Sequence, residues 1–242
     1  IKTGKFKEDM LEVIPHGIFD LFKNCSQEEL SEGSNPDVKS ILFFGYIKKY
    51  KGLECLLRAV PLINKEVNGV KTIIAGEGDL SPYQELISKC DNSTLEIHNE
   101  YLSDEQVSAL FKRASIVVLP YTRMSGESGV LKVAYAFDKP VISTNVGGFC
   151  EALKDNETGY LVPPNDPVSL AQATIQLLKD DDLRVKMSKS IRKMRQELSW
   201  DAIAGRHIDV YKQIISTHRQ TSIWPTWRPK AFQEAQGHEE QR

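Results

Sequence analysis

Three lysines lie close together in a short stretch bounded by glycines, and their spacing is typical of a site for an anion. The stretch is residues 45–52 (GYIKKYKG), directly after the apolar run at residues 41–44 and before leucines at helical spacing. Lysine ammonium groups beside the free amides of a helix start bind phosphates and carboxylates well. We therefore predict an anion site at this turn, with a solvated charged loop as the alternative.

Two further turns combine small residues with the start of a helix. Residues 125–130 (SGESGV) follow an apolar run that ends at Leu119, and residues 145–148 (NVGG) follow another. Small residues let a backbone approach a ligand closely, and the amides of the first helical turn then favour a diphosphate. A flexible loop is the alternative for the first of these turns. Glu151 would accept hydrogen bonds from sugar or ribose hydroxyls, or would simply be favourable in a first helical turn.

Other chemistries lack a matching motif. Residues 76–79 (GEGD) lack the third glycine and the distal acid of the dinucleotide fingerprint, which argues against a Rossmann-type oxidoreductase and favours a tight turn. The sequence has no P-loop lysine pattern, no nucleophile elbow and no metal-spaced cluster of His, Cys and carboxylates. His16, between Pro15 and Gly17 at the end of a predicted strand, is a candidate for a cleft. A structural histidine is the commoner case, there and at His98.

The composition is that of an ordinary globular protein. Of 242 residues, 40% are hydrophobic and 26% charged, and the formal net charge of -2 gives no basic field for nucleic acid. No apolar run approaches the roughly 20 residues of a membrane span. The four cysteines lie far apart, which favours reduced thiols and a cytoplasmic location, with contact to the inner face of a membrane left open. Because residue 1 is Ile, we expect a fragment without its upstream domain; a processed terminus is the alternative.

Apolar, strand-like runs alternate with helix-period segments along most of the chain. We predict strands at residues 11–15, 41–45, 70–75, 95–97, 116–119, 141–142 and 161–162. We predict helices at residues 53–60, 82–90, from the capping box of Ser103 and Gln106, at 129–137, after 147–148, and over 167–217. Continuous apolar strands alternating with helices predict an α/β fold, a Rossmann-like parallel sheet with helices on both faces. Ligands of such sheets bind beyond the carboxyl ends of the strands.

In this order and spacing, the turns resemble the C-terminal domain of retaining GT-B glycosyltransferases of the group-1, family-4 type. The resemblance covers roughly residues 11–217 and is carried by residues 13–17, 43–52, 102–107, 117–121, 128–130, 134–142, 147–148 with Glu151, and 158–164. It implies a UDP- or GDP-sugar donor held by this domain. It implies a glycan, lipid-linked or small-molecule acceptor held mainly by an N-terminal domain, retention of configuration, and no bound metal or cofactor.

Carried over residue by residue, the resemblance implies roles for particular side chains and amides. The residues assigned to the donor diphosphate are Gly45, Lys48, Lys51, Ser128, Gly129 and Val130. The nucleoside would lie beside Tyr101 and Leu102, and the sugar beside Gly147, Gly148 and Glu151. Glu127 and His16 are the candidates for the catalytic groups.

The chain also departs from the family pattern. Tyr46 stands where members often have an arginine, a charge that Lys48 or Lys49 would supply. The positions of two common glutamates fall on Ser125 and Val133, so Glu127 would replace the first from a register two residues away. A non-catalytic or degenerate nucleotide-binding module is therefore the alternative to a transferase.

The resemblance divides the chain into three segments. Residues 1–36 are predicted to be the end of an N-terminal domain and a linker, residues 37–217 a nucleotide-sugar-binding Rossmann-like domain, and residues 218–242 a C-terminal tail. We expect a hexosyl-type transferase that is inactive as this fragment alone. In the tail, Trp224 and Trp227 pack on a missing domain, touch a membrane surface, or have no role; these alternatives stay open.

Overall fold

Six parallel strands form a single sheet in the part of the chain that the structure describes. That structure is a computed structural model, and it describes residues 11–19, 21–24, 38–124 and 126–220. The sheet order is β3-β2-β1-β4-β5-β6. The strands are β1 (Ser40–Phe44), β2 (Lys71–Ala75), β3 (Leu95–His98), β4 (Ile116–Leu119), β5 (Val141–Thr144) and β6 (Gly159–Val162). The predicted Rossmann-like fold is confirmed.

Helices connect the strands, and in the described part of the sequence three more helices follow the last strand. The α-helices are α1 (Leu53–Glu66), α2 (Gln84–Ser88), α3 (Asp104–Arg113), α4 (Gly129–Ala136), α5 (Phe149–Ala152), α6 (Pro167–Lys179), α7 (Asp181–Glu197) and α8 (Trp200–Gln220). Short 3-10 helices lie at Leu21–Asn24, Lys49–Lys51 and Ser81–Tyr83. Within the described residues, no helix is both long and apolar enough to cross a membrane.

Both faces of the sheet are covered, which explains why its strands are continuous apolar runs. Ile41 and Phe43 of β1 join the core cluster that includes residues of α1 and α6. Successive strand residues alternate between faces, so Phe44 points to the opposite side. There its ring packs edge-on against Phe111 of α3, with 5.2 Å between the ring centroids.

Side-chain caps fix where several helices begin. Ser103 and Gln106 form the predicted capping box at α3. The carboxylate of Asp166 accepts hydrogen bonds from the amides of Val168 and Ser169, both at 3.0 Å, and Pro167 occupies the first turn of α6. These caps satisfy amides that have no partner within the helix.

One sequence prediction about secondary structure was wrong, and two others are refined by the structure. Residues 11–19 form neither strand nor helix, so His16 does not follow a strand; Val13 there is 72% exposed. The helix predicted at residues 82–90 is present, but it begins as a 3-10 turn at Ser81–Tyr83 and ends at Ser88. The helices predicted over residues 167–217 are confirmed as three, separated at Asp180, whose carboxylate caps α7, and again before Trp200.

The chain divides into two compact units. The larger runs from His16 to Trp200 and contains the whole sheet. The smaller consists of the residues that precede and follow the larger unit in the sequence. Of these, residues 11–15 and 201–220 are described, and they include most of α8. The boundaries near residues 36 and 217 stay predictions, and Trp224 and Trp227 lie outside the described residues.

Candidate functional site

The sheet has one point at which its strand order reverses, between β1 and β4. From β1 the chain continues to β2 on one side, whereas β4 on the other side leads on to β5 and β6. Ligands of open parallel sheets bind in the crevice that such a reversal opens at the carboxyl ends of the strands. A cleft of about 740 Å³ lies there, lined by Tyr50, Lys51, Tyr121, Arg123, Met124, Glu127, Ser128, Gly129 and Val130.

The turn after β1 is held in place by the turn after β2. The amide of Gly45 donates to the carbonyl of Ala75 at 2.9 Å, and that of Ile47 donates to the carbonyl of Glu77 at 2.9 Å. Gly76 has φ +135°, and a Cβ there would lie 2.4 Å from the carbonyl oxygen of Gly45. Glycine at this position therefore permits close packing of two backbones. Residues 76–79 bend at Gly76 and form a β-bridge between Gly78 and Ile47, in place of the tight turn that the sequence favours.

Lys51 ends the 3-10 helix of the first turn and is buried, with 7% of its surface exposed. Its Nζ lies 5.3 Å from the ring centroid of Tyr121, and no carboxylate of the described chain forms an ion pair with it. Burial lowers the pKa of Lys51 from 10.5 to about 8. A buried ammonium without a counter-charge is unfavourable, so an anion bound in the cleft would be strongly stabilised by it.

The turn after β4 supplies free backbone amides. Ser128 is the N-cap of α4, and its hydroxyl accepts a hydrogen bond from the amide of Leu131 at 3.3 Å. The amides of Gly129 and Val130 in the first turn have no acceptor within the helix. Because both residues line the same cleft as Lys51, an ammonium and a helix start converge on one volume.

Glu127 stands at the cleft wall in an ion pair with a buried lysine. Its Oε2 lies 2.9 Å from Nζ of Lys132, whose side chain is 4% exposed against 38% for Glu127. Its Oε1 accepts a hydrogen bond from the backbone amide of His16 at 3.4 Å. Partial burial raises the pKa of Glu127, but Lys132 and the His16 amide outweigh it, so the pKa lies below its ordinary value. The carboxylate is thus an ionised acceptor.

The imidazole of His16 packs against aromatic rings beside the cleft. Its ring centroid lies 5.0 Å from that of Phe19 and 5.1 Å from that of Trp200, and its Nδ1 lies 2.7 Å from the carbonyl oxygen of Gly17. His16 thus reaches Glu127 through its backbone, and its side chain is not among the lining groups. A catalytic role for His16 stays a prediction.

The paired glycines after β5 pack against the turn after β4. A Cβ on Gly147, which has φ +52°, would lie 2.4 Å from the carbonyl oxygen of Met124, and one on Gly148 would lie 2.3 Å from that of Gly126. The close approach is therefore to protein backbone, and it shapes the cleft wall. Glu151 is exposed on α5 and does not line the cleft. Contact of these three residues with a sugar stays a prediction.

Three other predicted residues are not brought into the cleft. Lys48 is exposed and lies outside its lining, as does Tyr101, which is 77% exposed. Leu102 is buried at 8% exposure and likewise does not line it. The structure therefore gathers Lys51, Glu127 and residues 128–130 in the cleft, with Gly45 beside Lys51, and leaves the predicted nucleoside contacts apart from them.

Several residues that line the cleft were not predicted from the sequence to belong to a site. Tyr50 and Tyr121 meet edge-on with 5.8 Å between their ring centroids, and burial raises the pKa of Tyr121 to about 12, so its hydroxyl stays neutral. Arg123 was missed because nothing in the local pattern distinguishes it. Lys132, which does not line the cleft but pairs with Glu127, did carry a signal, since it is a charge in the otherwise apolar helix GVLKVAYA. Val133, at the second glutamate position of the family, is a core residue with 4% exposure.

Residues 26–194 match the family described as glycosyl transferases group 1. That match covers well over half of the chain, and the chain belongs to this family. An uncharacterized glycosyltransferase of Methanocaldococcus jannaschii is 33% identical over 217 residues, which are 85% of this chain and 54% of that protein. The chain thus spans about half the length of the curated relatives it matches.

Solved structures agree on the fold. A glycosyltransferase from Rickettsia africae superimposes with a TM-score of 0.67 at 21% identity, over 88% of this chain and 60% of that one. The HepE protein of Anabaena, solved in complex with UDP-glucose, gives 0.60 at 16% identity, over 73% of this chain and 49% of that one. The Rossmann-like sheet is therefore the one found in GT-B glycosyltransferases. The described residues contain no group of three or more His, Cys, Asp or Glu that could hold a metal ion.

Proposed function

We propose that this chain is the donor-binding half of a retaining, family-4-type glycosyltransferase that uses a UDP- or GDP-sugar. The observation that carries the proposal is Lys51, a buried ammonium that forms no ion pair within the described chain and shares a cleft with the first turn of α4. A diphosphate matches that combination in charge and in hydrogen-bond acceptors. The complex of HepE with UDP-glucose supports a nucleotide sugar as ligand for a protein of this fold.

The cleft suits the departure of a nucleoside diphosphate. When the bond between sugar and diphosphate breaks, negative charge accumulates on the diphosphate oxygens. The Lys51 ammonium and the amides of Gly129 and Val130 would stabilise that charge from fixed positions, which lowers the barrier more than it tightens ground-state binding. The transferred group is a hexosyl-type sugar in this proposal.

Glu127 would serve the sugar rather than the phosphates. Because Lys132 and the His16 amide hold its carboxylate ionised at the cleft wall, it is placed to accept hydrogen bonds from hydroxyl groups. Gly147, Gly148 and Glu151 would complete the sugar side, and Tyr101 with Leu102 the nucleoside side. The acceptor, a glycan, a lipid-linked or a small molecule, would be bound mainly by another part of the protein.

The direct test is isothermal titration of the chain with UDP, GDP and ADP, with uridine as the ligand that lacks phosphates. We expect a nucleoside diphosphate to bind at least tenfold more tightly than uridine. The stronger of UDP and GDP would identify the base. If none of the three diphosphates binds at millimolar concentration, the donor-binding proposal is wrong.

A further inference from the structure

The cleft contains a second cation to which the proposed function gives no role. Arg123 lines it together with Lys51. As with Lys51, no carboxylate among the residues that the structure describes forms an ion pair with its guanidinium. An arginine is always charged and presents several donors in one plane, so it is suited to two oxygens of a phosphate at once.

A hydrogen-bonded clamp sets Arg123 beside Lys51. The carbonyl oxygen of Tyr50 accepts from the backbone amide of Thr122 at 2.7 Å and from its hydroxyl at 3.3 Å. Lys51 directly follows Tyr50, and Arg123 directly follows Thr122. The two cations therefore extend from adjacent points on the turn after β1 and the turn after β4, which the clamp holds together.

The other basic residues of the turn after β1 do not line the cleft beside Lys51. Lys48 and Lys49 are exposed, and neither lines the cleft. Of the residues that the sequence marks as sources of a second positive charge, the structure thus brings none into the cleft. Arg123, which the sequence does not mark, is there instead.

We infer that Arg123 is the second diphosphate-binding cation of this cleft. One phosphate is held by Lys51 and the first turn of α4, and the other by the Arg123 guanidinium. The inference rests on the proposed function and deepens it, because it makes the cleft selective for a diphosphate over a monophosphate.

The test compares Arg123→Gln with Lys49→Gln. Both changes remove one positive charge from an exposed side chain near the cleft, so long-range attraction is lowered similarly in both. Each variant and the wild type are titrated with UDP and with UMP. We expect Arg123→Gln to weaken UDP binding about tenfold or more, as for the loss of a hydrogen bond to a charged group. UMP binding should weaken about threefold or less, and Lys49→Gln should match the wild type within about twofold for both ligands.

The outcomes separate this inference from the proposed function. If the wild type binds UDP and Arg123→Gln binds it equally well, Arg123 does not contact the diphosphate. If UDP and UMP weaken by the same factor, the assignment of Arg123 to a second phosphate is wrong. If the wild type binds no nucleoside diphosphate, the proposed function itself fails. Denaturant unfolding of each variant checks that the fold is intact, as expected for exposed positions.

Discussion

Two lysines are buried near the cleft, Lys51 in its lining and Lys132 behind the lining residue Glu127 as its ion-pair partner, and they differ in what neutralises their charge. Lys51 follows β1 and is 7% exposed; Lys132, on α4 after β4, is 3% exposed. Lys132 forms an ion pair with Glu127 at 2.9 Å, whereas Lys51 has no carboxylate partner within the described chain. Within the described residues, the fold therefore supplies a counter-charge for one ammonium and none for the other.

The difference indicates that the buried lysines after β1 and after β4 have different roles. The pair of Lys132 and Glu127 is internally balanced, so it contributes little net charge to a ligand. The charge of Lys51 is available to an anion. Removing Lys51 should therefore weaken binding and strengthen the fold, and disturbing the Lys132 pair should weaken the fold.

The largest effect on the free energy of unfolding is expected when Glu127, the more exposed partner of the pair with Lys132, is replaced. Glu127→Gln would leave the buried Lys132 ammonium without its counter-charge, which costs about 3 kcal/mol in comparable buried pairs. Lys132→Met should cost less, about 1 kcal/mol, because the half-exposed Glu127 carboxylate regains water. Urea unfolding with an unchanged m-value measures both differences.

The double variant Glu127→Gln/Lys132→Met is the control for this prediction. Since neither charge of the pair then remains, its stability should lie within about 1 kcal/mol of the wild type. Equal losses of unfolding free energy in the two single variants would contradict this prediction. They would show that the Lys132 ammonium does not need its counter-charge more than the Glu127 carboxylate does.

The opposite sign is expected for Lys51. Lys51→Met should raise the free energy of unfolding by about 2 kcal/mol at pH 7, because a lowered pKa means that burial disfavours the ammonium. The pKa is about 8 in the folded chain and 10.5 ordinarily, so between these values the unfolded state binds the proton more tightly. Wild-type stability therefore rises with pH across that window.

The stability gap between Lys51→Met and the wild type should thus close as pH increases from about 8 to above 10.5. Urea midpoints at pH 7, 9 and 10.5 follow it, and titrating groups common to both proteins cancel in the difference. A gap that is independent of pH would mean that Lys51 is not desolvated in the folded chain.

A smaller, graded effect is expected in ligand binding. Bound phosphate favours the Lys51 ammonium, so above pH 8 binding must take up a proton, and UDP affinity should fall by up to about tenfold per pH unit. Tyr121, with a pKa of about 12, lies outside this range. Titrations between pH 7 and 9.5 measure the slope. The matched control, Lys51→Met, should give a slope near zero.

The sequence predicted the architecture well because the architecture depends on local patterns. Continuous apolar strands, the capping box at Ser103 and the Asp166–Pro167 helix start each specify their own element. The strand predicted at residues 11–15 failed because an apolar run becomes a strand only where a neighbour pairs with it. Pairing is not visible in a single segment.

The site was predicted in outline but not in its charges. Glycine-bounded turns at strand ends located the cleft, since the carboxyl ends of parallel strands meet at one edge. Burial and pairing of charged side chains depend on contacts between distant segments. The sequence alone therefore did not distinguish Lys51 from Lys48, find the partner of Glu127, or place Arg123 at the cleft.

The central claim is that Lys51 holds the diphosphate of a nucleotide sugar. Its most direct test is isothermal titration of UDP into the wild type, Lys51→Met and Lys49→Met at pH 7. Lys49 belongs to the same 3-10 helix but is exposed and outside the cleft lining. We predict that Lys51→Met weakens UDP binding about tenfold or more, and that Lys49→Met changes it by less than about twofold. Wild-type affinity in Lys51→Met, or equal losses in both variants, would contradict the account.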